Sequence, residues 1–253
     1  GGSDNGVASH SFIELYNPCD APVNLEGWQL QYCSSADGDH TQWEKLDLTG
    51  TIPAGGYYLV RCGKVEKPEG DYVVPEGDQE WDILLHNKGI SVALFSEDVT
   101  LTEDFTGAVT DVNRPAGYVD LVAVQGNDAE EEQKPPVYER AFSPEQSKKK
   151  AMRRISFTDT DDNSTDLEVI DYSESVDATM GPHNAQGAGG STAPEEPVEG
   201  AFREDSFETD APLTLHRLSS NSIGAANSDG AVAEIAAYNP DRQEAYVING
   251  QDG

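Results

Sequence analysis

Oxygen-bearing side chains recur at alternate positions in one short stretch, Asp159-x-Asp161-x-Asn163, with Asp166 following. That spacing suits a hard cation, because calcium gathers roughly six to eight oxygens and a helix-loop-helix calcium loop draws its first ligands from alternate positions. Such a loop also needs Gly at its sixth position and Glu at its twelfth, where this chain has Ser164 and Ile170. Two readings stand. Asp159, Asp161, Asn163 and Asp166 hold calcium or magnesium, or the Asp and Asn side chains cap their own backbone in an Asx-type turn. No other cofactor is implied.

A second group stands out by sign. The run "SKKKAMRR" at 147–154 is basic in a chain with 47 acidic and 16 basic residues. It could meet a sulfated or phosphorylated partner. It also fits a solvated edge strand in which Lys discourages aggregation and one Arg is paired inside the fold, with Glu14 as a candidate for that pairing. The histidines, His10, His40, His86, His183 and His216, are dispersed, without the HxH or HExxH spacing of a zinc site. No nucleophile elbow and no phosphate-cradling glycine loop occurs. His40 beside Asp37 and Asp39 reads as a polar loop, and Asn163-Ser164-Thr165 is a formal glycosylation sequon. No catalytic constellation is recognised, so the chain is expected not to be an enzyme.

The cysteines, Cys19, Cys33 and Cys62, include no CxxC pair, which argues against a zinc or thioredoxin-like centre. Cys33 and Cys62 each end an expected strand. Whether they join is left open, because a disulfide needs Cα atoms about 4.4–6.8 Å apart and sequence carries no distances.

These residues need a scaffold, and composition limits its kind. The net charge is −31, which repels nucleic acid and anionic membrane, so no nucleic-acid partner is expected. Apolar residues make up 36 % of the chain, below the roughly 45–50 % of ordinary globular proteins, so part of it is expected to lack a packed core. No apolar run approaches the ~18 residues of a membrane helix. The chain opens at Gly1-Gly2-Ser3 without Met and closes within a pattern at "YVINGQDG", and it reads as a fragment cut at both ends.

Short alternating runs bounded by Gly, Pro, Asn and Asp point to an all-β sandwich or barrel. Strands are expected at 11–16, 28–33, 42–48, 57–62, 83–85, 91–95, 119–124 and 150–157, with one helical turn near 144–149. Within "GWQLQYC", Trp28, Leu30 and Tyr32 share one face and Gln29, Gln31 and Cys33 the other, because strand side chains alternate. Trp28 is therefore expected in the core. Asn17-Pro18 and Ile52-Pro53-Ala54-Gly55-Gly56 are stiff corners. Residues 185–211 are rich in Gly, Ala, Pro and Glu and read as a flexible acidic linker. Patterning returns at 212–253, where three short strands are expected.

Several ordered motifs resemble the lamin-tail domain of secreted bacterial proteins. They are Phe12-Ile13-Glu14-Leu15-Tyr16-Asn17-Pro18, then Val23-Asn24-Leu25 and Gly27-Trp28-Gln29-Leu30-Gln31-Tyr32. Leu48-Thr49-Gly50-Thr51-Ile52-Pro53-Ala54-Gly55-Gly56-Tyr57-Tyr58-Leu59-Val60 is similar to that family's central hairpin. Tyr118-Val119-Asp120-Leu121-Val122, and Ala151-Met152-Arg153-Arg154 with the Asp-rich run after it, are similar to its later strands. The resemblance covers 1–184 and implies an immunoglobulin-like β-sandwich, although the family's opening strand is missing here. "AEIAAYNPDRQEAYVING" at 233–250 resembles the first blade of the secreted β-propeller family called choice-of-anchor.

The expected organisation is a lamin-tail sandwich at 1–184, a linker at 185–211 and a partial propeller blade at 212–253. The resemblance implies a non-catalytic interaction or targeting module of a larger secreted bacterial protein, extracellular or at the cell surface. Its partner would be a protein or a cell-surface glycan, and the fragment is expected to be a monomer. Two alternatives remain. One is the localisation module of a secreted phosphatase or nuclease whose catalytic part lies elsewhere. The other is a calcium-stabilised spacer.

Overall fold

Alternation along the first strand divides its side chains between two environments. In β1 (His10–Tyr16), Ile13 and Leu15 turn towards one cluster of apolar side chains and Phe12 towards another. Its antiparallel partner β6 (Tyr57–Lys64) alternates likewise, with Tyr58, Val60 and Cys62 on the first side and Leu59 on the second. A two-residue strand, β7 (Gln79–Glu80), completes this sheet by pairing parallel to Val60 and Arg61.

The computed structural model describes residues 6–187, apart from 36–42, 67–68, 71, 128, 131–132, 175 and 177–178, together with strands at 235–239 and 244–248. The chain divides into two compact units, 1–196 and 197–253. Most of the expected linker, from residue 188 onwards, and the expected strand at 211–220 lie outside the described residues. In the second unit β15 (Ile235–Asn239) pairs antiparallel with β16 (Glu244–Ile248).

The first unit is all-β and sandwich-like, with several sheets and no closed barrel. Its larger sheet has five strands. In spatial order these are β12 (Ser143–Gln146), β10 (Tyr118–Gly126), β8 (Ile90–Phe95), β3 (Gln29–Ser34) and β4 (Glu44–Asp47). Leu30 and Tyr32 of β3, Ile90 of β8 and Val124 of β10 meet Tyr58, Val60 and Cys62 in the central core. Each large apolar side chain removed from water there contributes about 1.5–3 kcal/mol. Trp28 packs half-buried against this core and precedes the strand, so it closes the end of the core instead of filling its middle.

The opposite face of the five-stranded sheet is also covered. Ala93, Phe95, Leu121 and Ala123 pack beneath Phe105, Val109 and Val137. The latter two come from the parallel pair β9 (Gly107–Val109) and β11 (Val137–Glu139). On the far side of the smaller sheet, Leu59 lies under Ile170 and Tyr172. Ile170 belongs to the hairpin of β13 (Lys150–Arg154) with β14 (Leu167–Asp171). That hairpin and the segment carrying β9 and β11 position the polar groups described below.

The two corners brace one another. Asn17 is buried, its Nδ2 donates to the carbonyls of Ala21 and Pro53 at 2.8 and 3.0 Å, and its Oδ1 accepts the Cys19 N–H. Gly55 takes φ +58°, the left-handed turn that residues with a Cβ avoid. The rims of the large sheet differ from its interior. Glu44, Lys45 and Asp47 line β4, while β12 carries Pro144 and a Glu145 at φ +81°.

Three expectations change, and the question left open for the cysteines is answered. The helical turn near 144–149 is replaced by β12, which pairs parallel to β10. The strand expected at 83–85 is absent, and Gln79–Glu80 takes the pairing instead. The strand expected to reach 157 ends at Arg154, after which 155–157 turn as a 3-10 helix. Cys19, Cys33 and Cys62 form no disulfide. Cys62 lies in the central core, whereas the alternation of β3 turns Cys33 away from Leu30 and Tyr32, so the two cannot meet.

Candidate functional site

Arg154, the last residue of β13, collects four carboxylates from distant parts of the chain. Its guanidinium bonds Asp120 of β10, lies 3.3 Å from Asp159 and 3.5 Å from Asp166, and reaches Glu139 of β11 at 4.0 Å. Carboxylate oxygens of Asp120, Glu139 and Asp159 fall within 4.8 Å of one another, a spacing that suits a cation. The positive charge among them is the guanidinium. Its planar array of donors serves several oxygens at once.

Burial and hydrogen bonding shift these groups in different directions. Desolvation pushes Glu139 up to about 7, reinforced by the negative charges of Asp120 and Asp159. Desolvation also raises Asp120, against the pull of Arg154. Asp166 is buried too, yet hydrogen bonds from the Thr160 hydroxyl and from the Thr160 and Asp162 N–H groups hold its carboxyl below the ordinary range. A carboxyl near 7 is what a general acid or base requires. Glu139, however, is 1 % exposed, and its two oxygens accept from the Tyr118 hydroxyl at 2.6 Å and from Asn163 Nδ2 at 2.9 Å. Those bonds tie strands together and occupy both carboxyl oxygens.

The four residues expected as metal ligands separate. Asp159 and Asp166 converge on Arg154. Asp161 turns to Arg114 instead. Asn163 is fully buried, accepts the N–H groups of Ala123 and Glu139, and donates to the Leu121 carbonyl and to Glu139. Locally the run behaves as a turn: Asp159 Oδ1 accepts the Asp161 N–H, and Asp162 caps the four-residue helix α1 (Asn163–Asp166) by accepting from Ser164. Sequence reasoning misses Asp120 and Glu139. Asp120 carries a faint signal, as the one carboxylate inside a strongly apolar strand; Glu139 carries none.

A second constellation lies where β1 ends and β6 begins. Tyr16 and Tyr57 are direct cross-strand partners, with ring centroids 5.2 Å apart. Phe157 stacks on Tyr16 at 3.9 Å and 22°, and lies 6.2 Å from Tyr57. His183 stacks on Tyr57 at 4.9 Å and 29°. Phe157 is 41 % and Ile155 42 % exposed, so the ridge meets solvent. Ser156 and Phe157 both have left-handed backbones, at φ 52° and 57°, a conformation that costs about 1–3 kcal/mol for each such residue. The fold thus holds an aromatic ring outward in a backbone conformation that bulky residues avoid.

Polar groups edge the ridge. Glu14 accepts the His183 backbone N–H and lies 3.5 Å from its Nδ1, so the pairing expected with an arginine is made with histidine instead. Burial raises the Glu14 carboxyl, opposed by His183 and Arg153. Arg153 donates to the Thr179 carbonyl at 3.2 Å and stands 3.9 Å from Glu168. Among the described residues no helix is long and apolar enough to cross a membrane. Comparison of the chain with family models, with curated proteins and with solved structures returns no match.

Proposed function

We propose that this chain is a non-catalytic interaction module of a larger secreted bacterial protein, working outside the cell or at its surface. In this reading the first unit is an immunoglobulin-like sandwich of the lamin-tail kind, and the strands near the C-terminus begin a propeller-like domain. The observation that carries the proposal is the aromatic ridge of Tyr16, Tyr57, Phe157 and His183. An exposed ring in a strained turn, as at Phe157, adds nothing to the core, and exposed apolar patches on a folded surface commonly mark contact sites. The carboxylate cluster supports the same view, because its charges are spent on internal bonds.

The test uses the whole chain with a fluorescent label, sedimented with intact bacterial cells. Retention of the chain, and its loss in Phe157→Asn, is the expected result. Asn tolerates the left-handed backbone and removes only the ring. Turnover of a phosphomonoester or phosphodiester by the purified chain would overturn the non-catalytic reading, and retention unchanged by the substitution would overturn the ridge as its contact site.

A further inference from the structure

We infer that the ridge binds an uncharged polysaccharide, an inference that rests on the interaction reading above. A sugar ring presents a face of C–H groups and a rim of hydroxyls. The C–H groups carry partial positive charge and are drawn to the negative face of an aromatic ring. Phe157 offers such a face, backed by Tyr16 at 3.9 Å, and Tyr57 lies 6.2 Å further along. The hydroxyl rim needs donors and acceptors beside the rings. The phenol groups of Tyr16 and Tyr57 supply both, and Glu14 and Arg153 stand at the edge.

Charge selects among sugars and against other partners. The chain carries −31, so sulfated or uronic polymers are repelled as they approach. A cationic peptide would need an excess of carboxylate at the contact. The ridge offers little, since Arg153 stands beside both of its carboxylates, Glu14 and Glu168. In a strongly acidic chain this is a ring-bearing surface whose carboxylates already face a cation, which matches a neutral ligand with apolar faces and a hydroxyl rim.

The experiment is native electrophoresis of the whole chain through gels cast with hydroxyethylcellulose, and separately with dextran, heparin or no polymer. Retardation by at least one neutral polymer and not by heparin is expected. Phe157→Asn and Tyr57→Ala should each weaken it about tenfold, the size of one lost ring contact, while Phe157→Trp retains it. Circular dichroism identifies a variant that has failed to fold, and the tryptophan variant then carries the comparison. Migration unaffected by either neutral polymer overturns the inference, as does retardation that survives loss of the Phe157 ring. If cells still retain the chain through Phe157 while neutral polymers do not, the interaction reading stands and its partner is a protein. If neither retains it, both readings fall.

Discussion

Asn163 and Glu139 close on each other inside the carboxylate cluster: Asn163 Nδ2 donates to Glu139 Oε2 at 2.9 Å, and Asn163 Oδ1 accepts the Glu139 backbone N–H at 3.2 Å. The amide is needed as both donor and acceptor, and a carboxylate of the same shape can only accept. Asn163→Asp should therefore remove the donor to Glu139 and to the Leu121 carbonyl and bury a second carboxyl without solvent. We expect a loss of roughly 3–5 kcal/mol, read as a lower urea midpoint with an unchanged slope. An effect below about 1 kcal/mol, the value of a lone neutral hydrogen bond, would show that the pair matters little.

Glu139 should also give the fold a pH dependence of unusual sign. Burial raises its carboxyl from the ordinary 4.5 to about 7. Below the unfolded value both states hold the proton, and its contribution is fully present. As pH rises towards 7 only the folded state holds it, so stability falls. The loss is at most about 3.5 kcal/mol, since each tenfold change in proton affinity is worth roughly 1.4 kcal/mol. Melting temperatures between pH 5 and 8 should decline in the native chain and decline less in Glu139→Gln. Parallel curves would mean that Glu139 is already ionised at pH 5.

Arg154 should be the residue on which the cluster most depends. Arg154→Met leaves Asp120, Asp159, Asp166 and Glu139 without the guanidinium that joins them. Removing one partner from a buried ionic group costs about 3–5 kcal/mol. Millimolar calcium should restore part of that loss in the variant, by neutralising the same oxygens, and change the native chain little. Calorimetry with and without calcium decides this, and an equal shift in both proteins would mean that the ion binds elsewhere.

Thiol reactivity should separate the cysteines cleanly. Cys19 is exposed, Cys33 and Cys62 are buried, and desolvation pushes the Cys62 thiol up to about 12. A disulfide reagent at pH 8 should modify one thiol in the folded chain and two more only in denaturant. Three fast thiols would contradict the packing of β3 and β6.

Much of the scaffold was legible because its strands alternate. The opposition of Leu30 and Tyr32 to Gln29 and Gln31 places the former in the core and sends Gln29 Nε2 to Asp47 and Asp98 at 2.9 and 2.8 Å. What escaped was structure made by long-range pairing. Gln79–Glu80 is too short for any periodicity, and β12 reads locally as a turn because its pairing comes from β10. The cluster escaped for the same reason. Asp120, Glu139 and Arg154 share no local pattern and meet only once β10, β11 and β13 have packed. The ridge was hidden by Ser156 and Phe157, whose left-handed backbones contradict their residue types.

The rims of the five-stranded sheet bear on how copies of the chain behave when crowded. An unpaired strand edge is a template for another molecule's backbone. Here one rim presents Glu44, Lys45 and Asp47, and the other is interrupted by Pro144 and the left-handed Glu145. Neither rim offers a run of open N–H and C=O groups free of charge or kink. Copies packed densely on a shared support therefore meet, at the rims of this sheet, no template along which a fibril could grow.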